Sequence, residues 1–236
     1  MQTNIIVVDK SQDFSRVAAE WIVNRIHETI VADGRCTLAL AGGETPRSAY
    51  SLLAKSDLSR KVEWQKVEFY FGDERCVPPD HPDSNYRMAY ETIFSNLRIA
   101  PAQVHRIEAE RPERDRAAVD YEAILPQRLD LILLGMGDDG HTASLFPGSA
   151  ALDERVRRVV VVKGSKPPPW RITITPPVIA AAGSMLVMVS GKRKASTVAR
   201  ALGAPHNPKE IPIQLALRGT WIIDSAAAEE LRRVKV

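Results

Sequence analysis

The stretch Leu129 to Pro147, LDLILLGMGDDGHTASLFP, restricts the fold more than any other part of the chain. Its apolar run, Leu131 to Leu134, is too short for a typical helix and stops at Gly135, the pattern of a strand buried on both faces of a parallel sheet. Sheets of that kind bind ligands beyond the carboxyl ends of their strands. Gly135, Gly137 and Gly140 let the backbone come close to a ligand, while Asp138, Asp139 and His141 put titratable groups at the strand mouth.

Other runs end in the same way. Ile5 to Val8 reads as a first strand, followed by a helix over Asp13 to Val31 that Asp33-Gly34 terminates. Cys36 to Ala41 is a second strand leading directly into Gly42, Gly43, Glu44, Thr45 and Pro46, with Pro46 opening a helix through Tyr50 and Leu53. Strand, glycine turn and helix amino terminus together suit an anion, although a tight turn without a ligand fits the same residues. Val67 to Phe71 runs into the charged loop Gly72, Asp73, Glu74 and Arg75. Ser84 or Asn85 caps the next helix, which carries Tyr86 to Phe94.

Further along, Val104 to Ile107 reads as a strand, Ala117 to Leu125 as an amphipathic helix, and the valine-rich Arg155 to Val162 and Arg171 to Thr175 as β-prone runs. Met185 to Val189 is another buried strand, broken by Ser190, Gly191, Lys192, Arg193 and Lys194 at a helix start. Cations there oppose the helix dipole, which makes sense with an anion bound; a solvated basic turn is the alternative. Gln214 to Leu217 and Trp221 to Ile223 supply more strand, and Ala226 to Arg233 a closing helix.

The composition, 44% hydrophobic and 26% charged over 236 residues, is that of a globular chain, expected to form one domain over residues 1–236. A net charge of +3 from scattered cations admits an anionic substrate without implying nucleic acid. Cys36 and Cys76 lack metal or redox spacing. The amino terminus lacks the pattern of a leader and no run has membrane-spanning length, so the expectation is a cytoplasmic protein with no membrane partner.

Alternating strands and helices imply a three-layer α/β/α architecture with a mainly parallel, Rossmann-like sheet that gathers these loops along one edge. LAGGETP, FYFGDERCVPPDHPDSN, DLILLGMGDDGHTASLFPG, RITIT and GKRKA, in that order, resemble the glucosamine-6-phosphate isomerase/6-phosphogluconolactonase family, and specifically its lactonases. The resemblance implies hydrolysis of 6-phospho-D-glucono-1,5-lactone to 6-phosphogluconate in the pentose phosphate pathway. A δ-lactone is an activated ester, so neither metal nor cofactor is expected.

His141 is the candidate base, an imidazole being able to take and return a proton near neutral pH. Asp139 matches the family's acidic position and orients either a neighbour or the imidazole. Arg75 has two candidate roles, at the oxyanion or at the phosphate. Gly42, Gly43, Thr45, Arg171 and Lys194 are carried over as phosphate ligands, with Asp73 as a substrate-binding residue or a brace for its loop. Glu44 stands where many members have serine, so its carboxylate must turn away or pair with a cation such as Arg47. The rival readings are a glucosamine-6-phosphate isomerase/deaminase, disfavoured because TASLFPG carries no carboxylate, and a non-catalytic sugar-phosphate sensor. The expected oligomeric state is a monomer or weak homodimer.

Overall fold

Strands that must be covered on both faces need helices on both, and the chain supplies them in alternation. The computed structural model describes residues 3–9, 11–164 and 167–231. The strands are β1 (Asn4–Val8), β2 (Cys36–Leu40), β3 (Val67–Phe71), β4 (Asp73–Arg75), β5 (Leu131–Gly135), β6 (Val159–Lys163), β7 (Trp170–Ile174), β8 (Ser184–Val189) and β9 (Thr220–Asp224). The α-helices are α1 (Ser11–Asp33), α2 (Glu44–Leu53), α3 (Ser56–Ser59), α4 (Asn85–Ala89), α5 (Ser95–Leu97), α6 (Arg114–Ile124), α7 (Pro176–Ala181) and α8 (Ala195–Gly203).

Six strands form one sheet in the order β1-β9-β8-β5-β2-β3, every pair parallel. From β2 the chain moves outward to β3, then returns across β2 to β5 and continues towards the far edge. The strand order therefore reverses between β2 and β5, the position at which parallel sheets open a crevice at their carboxyl ends. Leu38, Leu131, Leu133, Leu186 and Ile222 are fully buried in this sheet, which explains why the central strands read as unbroken apolar runs.

A second, antiparallel sheet, β4-β7-β6, was not foreseen. Gly72 alone separates β3 from β4; its N–H donates to the Leu40 carbonyl and its own carbonyl accepts from Ile174 N–H, both at 2.9 Å. The expected Gly72–Arg75 loop is thus a strand that carries the chain out of the main sheet and over its carboxyl edge. Three other expectations are corrected. Val104 to Ile107 makes only a single parallel bridge, Val104 to Phe69, since the Val67 carbonyl of β3 accepts from the Gln103 side-chain amide at 2.8 Å and not from a backbone N–H of this segment.

Gln214 to Leu217 falls largely in a 3-10 helix, Pro212–Ala216. There the buried Gln214 amide accepts from Asn207 N–H at 2.6 Å and donates to the Ala201 carbonyl at 3.1 Å, so a polar staple overrides the strand-like alternation. Ala226 to Glu230 forms hydrogen-bonded turns where a helix was expected, seeded by the Asp224 carboxylate accepting from Ala227 N–H at 2.7 Å; Arg232 and Arg233 lie outside the described residues. The helix after Ser84 is also interrupted, by a π-helical turn at Tyr90–Phe94.

Glu74 anchors α4 to β4. Only 4% exposed, its carboxylate accepts from the N–H groups of Arg75, Asn85 and Tyr86, each at 2.8 Å, and from the Ser84 hydroxyl at 3.1 Å. Burial raises its pKa, and the N–H groups of Asn85, Tyr86 and Arg75 oppose that rise. Glu74→Ala would strand these donors in the interior, and is expected to lower the unfolding free energy by about 2–4 kcal/mol in urea titration. A change within about 0.5 kcal/mol would refute this anchoring role.

Candidate active site

Between β2 and β5 an open cleft of about 700 Å³, mouth included, collects the polar ends of five strands. On the β2 side, Tyr50 of α2 reaches back to pin the start of the glycine turn: its hydroxyl accepts from Ala41 N–H at 2.9 Å and donates to the Ala41 carbonyl at 3.1 Å. Gly43 caps α2 with φ 101°, a conformation that favours glycine, so the helix begins at Glu44, two residues before Pro46. Gly42, Gly43 and Thr45 all line the cleft. The Glu44 side chain is 90% exposed and lies 3.7 Å from Arg47 Nε, which resolves the departure from serine: the carboxylate is directed to solvent and a cation.

On the β5 side the loop folds on itself. Gly137 N–H donates to the His141 carbonyl at 2.9 Å and Gly140 N–H to the Gly137 carbonyl at 3.0 Å. Gly137 is required by proximity, since a Cβ there would fall 2.2 Å from the imidazole. Asp139 Oδ1 lies 2.6 Å from His141 Nδ1 and also accepts from His141 N–H at 3.1 Å. A carboxylate can only accept, so the proton sits on Nδ1 and Nε2 is left as the basic nitrogen. The Asp139 carboxylate thus meets the imidazole itself, the contact that the second of the two roles considered above requires. The Phe146 ring, centred 4.8 Å from the imidazole, supports its other side.

Partial burial would raise the Asp139 pKa, but the charge and hydrogen bonds of His141 outweigh it and hold the carboxyl below its ordinary range. A depressed carboxylate pKa contributes stability that is complete above the unfolded-state value and is lost as pH falls through the folded one. Asp139→Asn is accordingly expected to be less stable than the parent at neutral pH, with the difference disappearing in acid below the ordinary aspartate range. Urea titrations across pH test this, and a gap that persists in acid would refute it.

The small sheet closes the cleft with cations. Antiparallel register sets Arg75 directly opposite Arg171, an unfavourable pairing of like charges unless an anion lies between. Arg171 is 9% exposed, and burial lowers its pKa, Asp73 opposing and Arg75 reinforcing the effect. Lys194 is lowered in the same way, by burial first, with Asp138 opposing and Arg193 reinforcing. Among the described residues, neither Arg75 Nε nor Arg171 Nε has a hydrogen-bond partner. Arg75 also donates from Nη1 to the Asp83 carbonyl, which ties it to the proline-rich loop. An anion in this cleft would compensate positive charge that the protein leaves exposed to itself.

Asp73 lines the cleft too, but its carboxylate is already engaged. Oδ2 accepts from the buried Ser144 hydroxyl at 2.6 Å and Oδ1 from Asn85 Nδ2 at 3.1 Å. It therefore has the character of a brace, the other role considered for it. Ser144, Phe146 and Asn85 were missed from the sequence. Only Asn85 left a trace, as an alternative cap, whereas the cap is Ser84, whose Oγ accepts from Arg87 N–H. No group of three or more His, Cys, Asp or Glu side chains among the described residues is placed to hold a metal ion. None of the described helices is long and apolar enough to cross a membrane.

Fold and site together define an α/β protein whose parallel sheet opens, at its switch point, a cleft lined by a carboxylate-paired histidine, a glycine turn and three cations. Residues 9–223 match the profile of the family described as glucosamine-6-phosphate isomerases/6-phosphogluconolactonase, and the chain belongs to that family. The 6-phosphogluconolactonase of Synechocystis sp. is 35% identical over 245 residues, covering 98% of this chain and 100% of that protein. That of Mycobacterium tuberculosis is 34% identical, covering 98% and 99% respectively. Among solved structures, 6-phosphogluconolactonase from Trypanosoma cruzi superposes with a TM-score of 0.85 at 30% identity over 98% of each chain. A monomeric glucosamine-6-phosphate deaminase also superposes, with a TM-score of 0.84 at 22% identity over 97% of this chain and 100% of that one, a likeness of fold alone.

Proposed function

We propose that this protein is a 6-phosphogluconolactonase, hydrolysing 6-phospho-D-glucono-1,5-lactone to 6-phospho-D-gluconate in the pentose phosphate pathway. The observation that carries the reading is the presence, in one cleft, of an Asp139-oriented imidazole and a cationic cradle suited to a phosphate. His141 Nε2 takes a proton from water as the water oxygen attacks C1. The tetrahedral intermediate then collapses, the bond from C1 to the ring oxygen breaks, and the imidazolium returns the proton to that oxygen. Arg75 stands at the developing oxyanion or the phosphate; Gly42, Gly43, Thr45, Arg171 and Lys194 hold the phosphate through backbone, hydroxyl and cationic donors.

The reading takes the protein to be a monomer or weak homodimer that acts as a single catalytic domain in the cytoplasm. The test is acid release from freshly generated 6-phosphogluconolactone, measured against the spontaneous rate. Acceleration that survives exhaustive chelation is expected, since the proposed base and donors are all side-chain or backbone groups. Folded protein that gives no acceleration would overturn the assignment, and activity restored only by a specific metal would overturn the metal-free mechanism.

A further inference from the structure

Two parts of the cleft approach it from different strands: the glycine turn after β2 and the histidine loop after β5. A buried line of polar contacts links them through a residue that belongs to neither. Ser144, three residues after His141 and fully buried, accepts no support from solvent; its N–H donates to Thr173 Oγ1 at 3.1 Å and its hydroxyl to Asp73 Oδ2 at 2.6 Å. Asp73 then receives Asn85 Nδ2 on both its carbonyl, at 2.8 Å, and its Oδ1, at 3.1 Å. Asn85 is 2% exposed, and its own N–H is held by Glu74 at 2.8 Å, so backbone and side chain are both fixed.

The far side of the Asn85 amide lies against Gly42. A Cβ at Gly42 would fall 2.0 Å from Oδ1, 2.5 Å from Cγ and 2.7 Å from Nδ2, distances that no packed structure tolerates. Gly42 is not among the glycines with positive φ, unlike Gly43. Its backbone therefore does not demand glycine; the Asn85 side chain does. The close approach has a physical consequence, because the first residue of the anion-binding turn rests on an amide whose position is dictated by Asp73 and, through Ser144, by the histidine loop.

We infer that Asn85 is a positioning residue that sets the glycine turn at a fixed offset from the histidine loop, and so governs recognition of the substrate's 6-phosphate. The inference rests on the lactonase reading above. A displacement of the turn by about 1 Å is enough to cost about 10²-fold in catalytic efficiency, since phosphate binding and attack at C1 must be satisfied by one rigid substrate pose.

The experiment is a double-substitution cycle on Gly42→Ala, Asn85→Ala and the pair, assayed with 6-phosphogluconolactone and with unphosphorylated glucono-δ-lactone. Gly42→Ala is expected to lower kcat/KM for the phosphorylated lactone by about 10²-fold, chiefly through KM, and the added Asn85→Ala to recover about tenfold of that loss by making room for the Cβ. Asn85→Ala alone is expected to reduce kcat/KM for the phosphorylated lactone at least about fivefold more than for the unphosphorylated one. A merely structural role would lower both alike. Asn85→Ser, which also withdraws the amide from Gly42, carries the same comparison if Asn85→Ala fails to fold.

Additive losses in the pair, or equal losses on the two lactones, would overturn the inference while the wild-type activity left the lactonase reading standing. Wild-type protein that accelerates neither lactone would overturn that reading, and this inference with it.

Discussion

Replacing His141 with alanine is expected to lower kcat for 6-phosphogluconolactone by about two to four orders of magnitude, the usual contribution of a positioned general base. The fold should survive the change. The side chain is 25% exposed, and the loop's backbone bond from Gly137 to the His141 carbonyl needs no imidazole. Circular dichroism and the unfolding midpoint would report an intact protein. Turnover of the wild-type order in the folded variant would remove His141 as the base.

The second large effect is expected at Arg171. Charge-assisted hydrogen bonds to an anion contribute about 1.5–3 kcal/mol each, so Arg171→Ala should raise KM for the phosphorylated lactone by about 10- to 150-fold with a smaller change in kcat. Burial and the facing Arg75 lower the Arg171 pKa, and the negative charge of a bound phosphate would offset both. Arg171→Lys should recover only part of the loss, since an ammonium offers the charge without the planar fork of donors. Inhibition by inorganic phosphate provides an independent readout and should weaken in parallel. An unchanged KM would take Arg171 out of the phosphate site.

Much of this site is legible because its chemistry is local. The strand, glycine turn and helix start at Gly42 to Thr45, and the Asp139-to-His141 spacing, each lie within a few residues. A two-residue separation suffices to bring the Asp139 carboxylate to the imidazole once Gly140 turns the chain at φ 87°. What stays hidden depends on pairing between distant segments. Arg75 and Arg171 face each other only because β4 pairs with β7, and neither strand's own residues specify that partner. Asp73 becomes a brace only when Ser144 and Asn85 arrive from elsewhere. Gln214 misleads for the same reason: the alternation around it suits a strand, and the carbonyls that capture its amide come from α8 and the loop after it.

The sequence by itself determined the fold class, the parallel central strands and the place of the histidine loop at a strand's carboxyl end. A strand covered on both faces must be apolar throughout, and a glycine-broken acidic loop at its end has few structural uses. The tertiary structure alone decided the second sheet, the pairing of two cleft-lining arginines within it and the contact between Asn85 and Gly42. Those features arise from strand register and side-chain packing between elements far apart in the chain, where the energy of each contact exists only after the partners have been brought together.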